Sequence, residues 1–141
     1  MLDTDTELIA IELPLPPSAN KAYASLRNRR ILTAEGKLFK QQVRDLFGQA
    51  YATRPLPELQ DHALALDITL TFEAVENAGW SKGTAKNRYK RVDVSNRLKL
   101  LEDAIFSALG VDDSLIFSLT VRKQAGTPAS FVRIRLEERM T

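Results

Sequence analysis

Residues 63–72, ALALDITLTF, alternate apolar and polar side chains. Leu64, Leu66, Ile68, Leu70 and Phe72 share one face, and Asp67, Thr69 and Thr71 share the other. A period of two over this length is a strand with one buried side. The rest of the chain must therefore supply a layer that covers it. Two helical segments offer that layer. Thr33 is placed to cap a helix whose stripe is Phe39, Val43, Leu46, Phe47 and Ala50. A second helix runs from about Ser95 to Leu109, turns Leu98, Leu101, Ile105 and Leu109 inward, and stops at Gly110.

Three further strands complete the order. LIAIEL (8–13) stops at Pro14 and leads into PLPPSANKAY, whose prolines make a stiff extended loop. SLIFSLTVRK (114–123) puts Leu115, Phe117, Leu119 and Val121 on one face. FVRIRLEE (131–138) buries Val132, Ile134 and Leu136 and turns Arg133, Arg135 and Glu137 outward. The order β-α-β-α-β-β predicts one α+β domain over 1–141, a mixed β-sheet with two main helices packed on it. Residues 1–7 are expected to be a flexible N-terminus, and 75–92 a mobile basic loop containing Gly79 and Gly83.

Composition narrows the chemistry. There is no cysteine, which removes disulfides, thiolate nucleophiles and Cys-based metal sites. The N-terminal stretch carries four acids and no base before Pro14, unlike a signal peptide. No apolar run is long enough to cross a bilayer, so a cytoplasmic protein without membrane contact is expected. His62, the only histidine, sits in a loop before the 63–72 strand, which gives a general-base role little support.

Net charge is only +2, but its distribution is uneven. Asn77–Lys99 holds Lys82, Lys86, Arg88, Lys90, Arg91, Arg97 and Lys99 against the single acid Asp93. Lys21, Arg27, Arg29 and Arg30 form a second basic cluster. Such clusters suit a phosphate backbone, and equally a solvated loop.

Asp93 stands just before the second helix, and Asn96, Lys99 and Asp103 follow at spacings of three and four, forming one polar stripe. Asp112 and Asp113 come just past its end. A structural reading has Asp93 or Ser95 capping the helix, Lys99 pairing with Asp103, and the Asp pair making a turn. A chemical reading has the bases holding phosphate and the carboxylates holding Mg²⁺, which takes hard oxygen ligands. On that reading the Asp pair folds back beside the helix start.

PLPPSANK, KRVDVSNRLKLLEDAI and ALGVDDSLI, in this order over about residues 12–123, resemble the RusA family of Holliday-junction resolvases. The family's central pattern is Asp-x-Asp-Asn-x-x-Lys, followed by an Asp-Asp pair. Asp93, Asn96 and Lys99 match it, and Asp112 and Asp113 match the pair. Ser95 stands where the pattern has its second Asp. Asp112 is the first candidate to supply the missing carboxylate, ahead of Glu102 and Asp103.

The resemblance implies a homodimeric, Mg²⁺-dependent endonuclease that nicks four-way DNA junctions symmetrically, in recombination and repair. Asp93, Lys99 and Asp113 would be its catalytic residues, with Asp93, Asp113 and Asp112 at the metal. Lys82, Lys86, Arg88, Lys90, Arg91, Asn96, Arg29 and Arg30 would bind DNA, with Trp80 and Tyr89 between the loop's bases. A second reading is a branched-DNA binding protein that has lost cleavage through Ser95. A third, an RNA-binding α+β domain, calls for stacking aromatics on outward strand faces.

Overall fold

The computed structural model describes residues 7–91 and 94–137. The N-terminal segment expected to be flexible lies outside these residues except for Glu7, and so do Val92 and Asp93. The central strand β4 (Leu64–Phe72) buries Leu64, Leu66, Ile68, Leu70 and Phe72, as its alternation requires. Around it form β1 (Glu7–Leu13), β5 (Ile116–Ala125) and β6 (Ala129–Leu136), in the sheet order β1-β6-β4-β5. β6 is antiparallel to both β1 and β4, whereas β4 and β5 are parallel. Parallel neighbours need a crossover, and here it is the helix α3 (Ser95–Leu109).

α3 and the helix α2 (Ala34–Ala50) pack against one another, and their buried faces join the sheet's in one hydrophobic core. The result is the expected α+β domain with a mixed sheet. The core side of α3 is set by Leu100, Leu101, Ala104, Ile105 and Phe106, while Leu98 and Leu109 are only partly buried. α2 buries Phe39, Val43 and Phe47, and Ala50 at its end is exposed.

A short helix α1 (Ala19–Ala22) and a separate hairpin, β2 (Tyr23–Leu26) and β3 (Arg29–Leu32), fill a stretch with no periodicity in the sequence. Arg27 and Asn28 form its two-residue turn, both with left-handed backbone (φ 51° and 63°). That is the type I′ geometry favoured in tight hairpins. Thr33 closes the hairpin and starts α2. Its amide donates to Ala22 O (2.8 Å), and its Oγ1 accepts from Gly36 N (3.2 Å).

One outward assignment differs from the sequence reading, at Glu137. On the edge strand β5, Phe117 and Leu119 of the shared apolar face are exposed, while Val121, and Ile116 brought opposite Leu64 by a register shift, are partly buried. Glu137 is buried just past β6, where its carboxylate accepts from Ser118 Oγ (3.2 Å) and its amide donates to Ala63 O (2.7 Å).

Gly36 sits where α2 meets α1 and β3. A Cβ there would lie 2.6 Å from Ala22 O and 2.7 Å from Leu32 Cδ1. Gly→Ala within a helix ordinarily stabilises. Here the close backbone carbonyl reverses the sign, and Gly36→Ala is expected to lower unfolding free energy by about 1–3 kcal/mol, the usual cost of overpacking. Urea denaturation checks this; an unchanged or raised midpoint would show that the contact relaxes freely.

Candidate active site

α3 is the spine of the site. Its inner side is held by the core, which leaves Lys99 and Asp103 exposed and Asn96 half-buried. Val94 occupies the N-cap position, and Ser95 is the first helical residue, exposed, rather than the cap. Gly110 ends the helix with φ 69°, and Val111 leads into a 3₁₀ turn at Asp113–Leu115. Asp112 caps that turn: its Oδ1 accepts from Ser114 N at 2.8 Å, and this backbone hydrogen bond is the main cause holding its carboxyl below the ordinary value. Asp113 is exposed beside it.

Tyr23, at the base of the hairpin, reaches across to α3. Its hydroxyl donates to Asp103 Oδ2 at 2.9 Å. The Arg30 guanidinium lies 5.1 Å from its ring centroid and the Lys99 ammonium 6.0 Å. Burial first, then the bond to Asp103 and its charge, push the phenol up to about 12. Tyr23 therefore stays a donor at neutral pH, and a phenol of ordinary acidity would do the same. The ring under Lys99 and the bond to Asp103 fix the two α3 residues relative to the hairpin.

Glu102 lies half-buried on the same patch. Burial raises its pKa first, then repulsion from Asp113 and Asp103, against attraction from Lys99. Lys99, Glu102, Asp103 and Asp113 thus form one electrostatic neighbourhood. An open groove of about 560 Å³ adjoins it, lined by Lys40, Asp103, Phe106, Ser107, Asp112 and Asp113.

A raised carboxyl pKa means that the fold favours the protonated form. The stability this group contributes is fully present below its unfolded pKa and is lost as pH rises through the higher folded value. Glu102→Gln, neutral at every pH, is expected to raise Tm at pH 7, and the gain should vanish on acidification below the ordinary carboxyl range. Calorimetric scans at both pH values test it. A loss of stability at pH 7 would mean that attraction to Lys99 outweighs burial and repulsion.

The structure brings Lys99 and Asp113 into one patch, where both act on the Glu102 carboxylate. Asp93 lies outside the described residues. Among the described residues no group of three or more candidate metal ligands assembles. Asp113 with Glu102 nevertheless fits Mg²⁺ in kind, since both are hard oxygen donors and Mg²⁺ commonly takes only one or two protein carboxylates.

The basic loop leaves the end of β4 and returns to α3. It is pinched by a Glu76–Tyr89 bridge, by Lys90 N to Val75 O (2.9 Å) and by Asn77 Nδ2 to Asn87 O (2.7 Å). Lys82, Lys86, Lys90 and Arg91 are exposed along it, and Trp80 is exposed at its tip. Arg88 is engaged by Glu76 (3.2 Å) and by the Tyr89 ring (5.1 Å). Arg97 differs in kind from the other bases. It is half-buried, donates to Pro16 O (2.6 Å) and lies over the Phe72 ring (5.2 Å). It pins the proline loop to α3 rather than facing solvent. Arg29 and Arg30 sit on the hairpin.

Tyr23, Lys40 and the structural role of Arg97 were not found from sequence, because each depends on contacts between distant segments. Tyr23 and Asp103 are 80 residues apart. On the open sheet face, Phe131, Arg122, Arg133 and Arg135 border a second depression of about 370 Å³. Arg133 is neutralised there by Glu7 (2.6 Å) and Arg135 by Asp67 (2.7 Å), which leaves that face less suited to a polyanion than the loop and hairpin.

A search of curated proteins found no match. The family model described as Endodeoxyribonuclease RusA matches residues 14–136, which span β4, α3, the Asp112–Asp113 turn, the hairpin and the basic loop. No helix among the described residues is long and apolar enough to cross a membrane. With that match over nearly the whole chain, the protein belongs to the RusA endodeoxyribonuclease family.

Proposed function

We propose that this chain resolves four-way DNA junctions by paired symmetric nicks, as a cytoplasmic homodimer that uses Mg²⁺ in recombination and repair. The observation that carries the reading is the patch gathering Lys99 and Asp113, two residues of the family pattern, around Glu102 and beside the basic hairpin. Asp93 and Asp113 would hold the metal, with Asp112 beside them. Bound there, Mg²⁺ would supply an activated water and neutralise charge on the scissile phosphate. Lys99, steadied over the Tyr23 ring, holds the phosphate electrostatically. Lys82, Lys86, Lys90 and Arg91, with Arg88, Asn96, Arg29 and Arg30, grip the flanking backbone. The loop's ability to follow the DNA belongs to the same proposal.

A junction of two-fold symmetry requires two matched sites, one from each copy. With Asp93 and Asp113 at one metal within each chain, mixing inactive Asp93→Asn and Asp113→Asn variants, with exchange of subunits verified, should leave nicking lost. Restoration on mixing would mean that the two copies share the metal.

Ser95 supports a second reading, in which the chain binds branched DNA without cutting. Ser95 is exposed at the first turn, where its hydroxyl replaces the charge of a carboxylate. Ser95→Asp separates the readings. A parent that nicks, with less Mg²⁺ needed after the change, supports the resolvase. A silent parent that becomes active with Asp supports the binder.

A further inference from the structure

The β2–β3 hairpin has two unlike faces. In an antiparallel pair, directly opposed residues share a face. Tyr23 pairs with Leu32 and Ser25 with Arg30; this face turns inward, with Tyr23 and Leu32 packed against the core. Ala24 pairs with Ile31 and Leu26 with Arg29, which makes an outward face. Leu26 is 56% exposed and Ile31 42%, an uncommon placement for two large aliphatic residues on so short an element.

The charge around that face says what it suits. From Ala19 to Ala34 there are four cations, Lys21, Arg27, Arg29 and Arg30, and no acid. Two copies of such a surface would repel each other, so it suits a polyanion rather than a second copy. Phosphates alone leave Leu26 and Ile31 in water. A partner that offers phosphates beside an apolar plane satisfies both, and unstacked nucleobases at a branch point do so. Aliphatic side chains are known to wedge between base steps in this way. The tight Arg27–Asn28 turn and the Tyr23–Asp103 bond make the hairpin a short, anchored projection next to Lys99.

We propose that the outward face of the hairpin, Ala24, Leu26 and Ile31, presses against unstacked bases at the junction's branch point while Arg27 and Arg29 hold the adjoining phosphates. The inference rests on the junction-binding reading and adds a specificity surface to it. It accounts for preference for a branched over a linear duplex, since a duplex offers phosphates but no open base plane.

The test uses the full-length chain without divalent cation, on a four-way junction carrying 2-aminopurine beside the branch point and on a linear duplex of the same sequence. The parent is expected to raise 2-aminopurine fluorescence on the junction. The double variant Leu26→Ser, Ile31→Ser should lose that rise and weaken junction binding by about ten-fold or more, the worth of burying an aliphatic side chain, while duplex affinity stays the same. The double variant Leu26→Met, Ile31→Val should keep the rise. Retained fluorescence and junction affinity in the serine variant would overturn the proposal. So would conversion of a dimer to a monomer by the serine changes, which would make the face an interface between copies. A parent that binds junction and duplex equally would overturn the junction reading itself, and this inference with it.

Discussion

Asp113→Asn is expected to reduce nicking of a four-way junction by about 10²–10³-fold or more, the scale seen when a group facing the reacting charge is removed. Binding should be unchanged or tighter, because the substitution removes a negative charge that would face phosphate in the proposed complex. The variant should fold normally. Asp113 is exposed, and the cap of its 3₁₀ turn comes from the Asp112 carboxylate rather than its own. This separates a chemical role from a structural one. Paired measurements of nicking rate and junction affinity decide the matter. Nicking at the parental rate would remove Asp113 from the reaction, and loss of the folded state would make the residue structural.

Changing Lys86, Arg88 and Lys90 to Ala is the next largest expected effect. Each lost phosphate contact lowers the slope of log affinity against log salt by about 0.9. Three independent contacts would take away about 2.7. Arg88 is already engaged by Glu76 and Tyr89, so the expected loss is nearer 1.8, from the two lysines alone. Titration of junction binding across salt concentrations checks it. An unchanged slope would mean that the loop is only solvated, and the full loss of three contacts would mean that Arg88 leaves Glu76 for DNA.

Features carried by local sequence were legible. The alternation of β4, the Thr33 cap of α2 and the Gly110 stop of α3 depend on residues a few positions apart, so spacing exposes them. The β2–β3 hairpin was not legible, because its type I′ turn uses Arg27–Asn28 in place of the usual Asn-Gly signal. The exposure of Phe117 and Leu119 was not legible, because no local cue marks the register shift at the start of β5 or its place at the sheet edge. Glu137 was read as outward by continuing the β6 alternation, but Ser118 across the sheet gives its carboxylate a half-buried partner. In the site, the stripe Asn96–Lys99–Asp103 follows from helical spacing alone. The Tyr23 clamp on that stripe, and the place of Asp113 near Glu102, come from tertiary packing. So does the role of Arg97, which composition counted only within the basic cluster and which the structure ties to Pro16.

The central claim is that the chain cuts branched DNA in pairs. The most direct measurement is cleavage of a four-way junction labelled in each strand in turn, with Mg²⁺ or with chelator, and with the products offered to a ligase. The expected result is nicks at symmetry-related positions in two opposed strands, only with the metal, giving duplexes that the ligase seals. Tight junction binding with no nick at any Mg²⁺ concentration would contradict it and make the chain a branched-DNA binding protein.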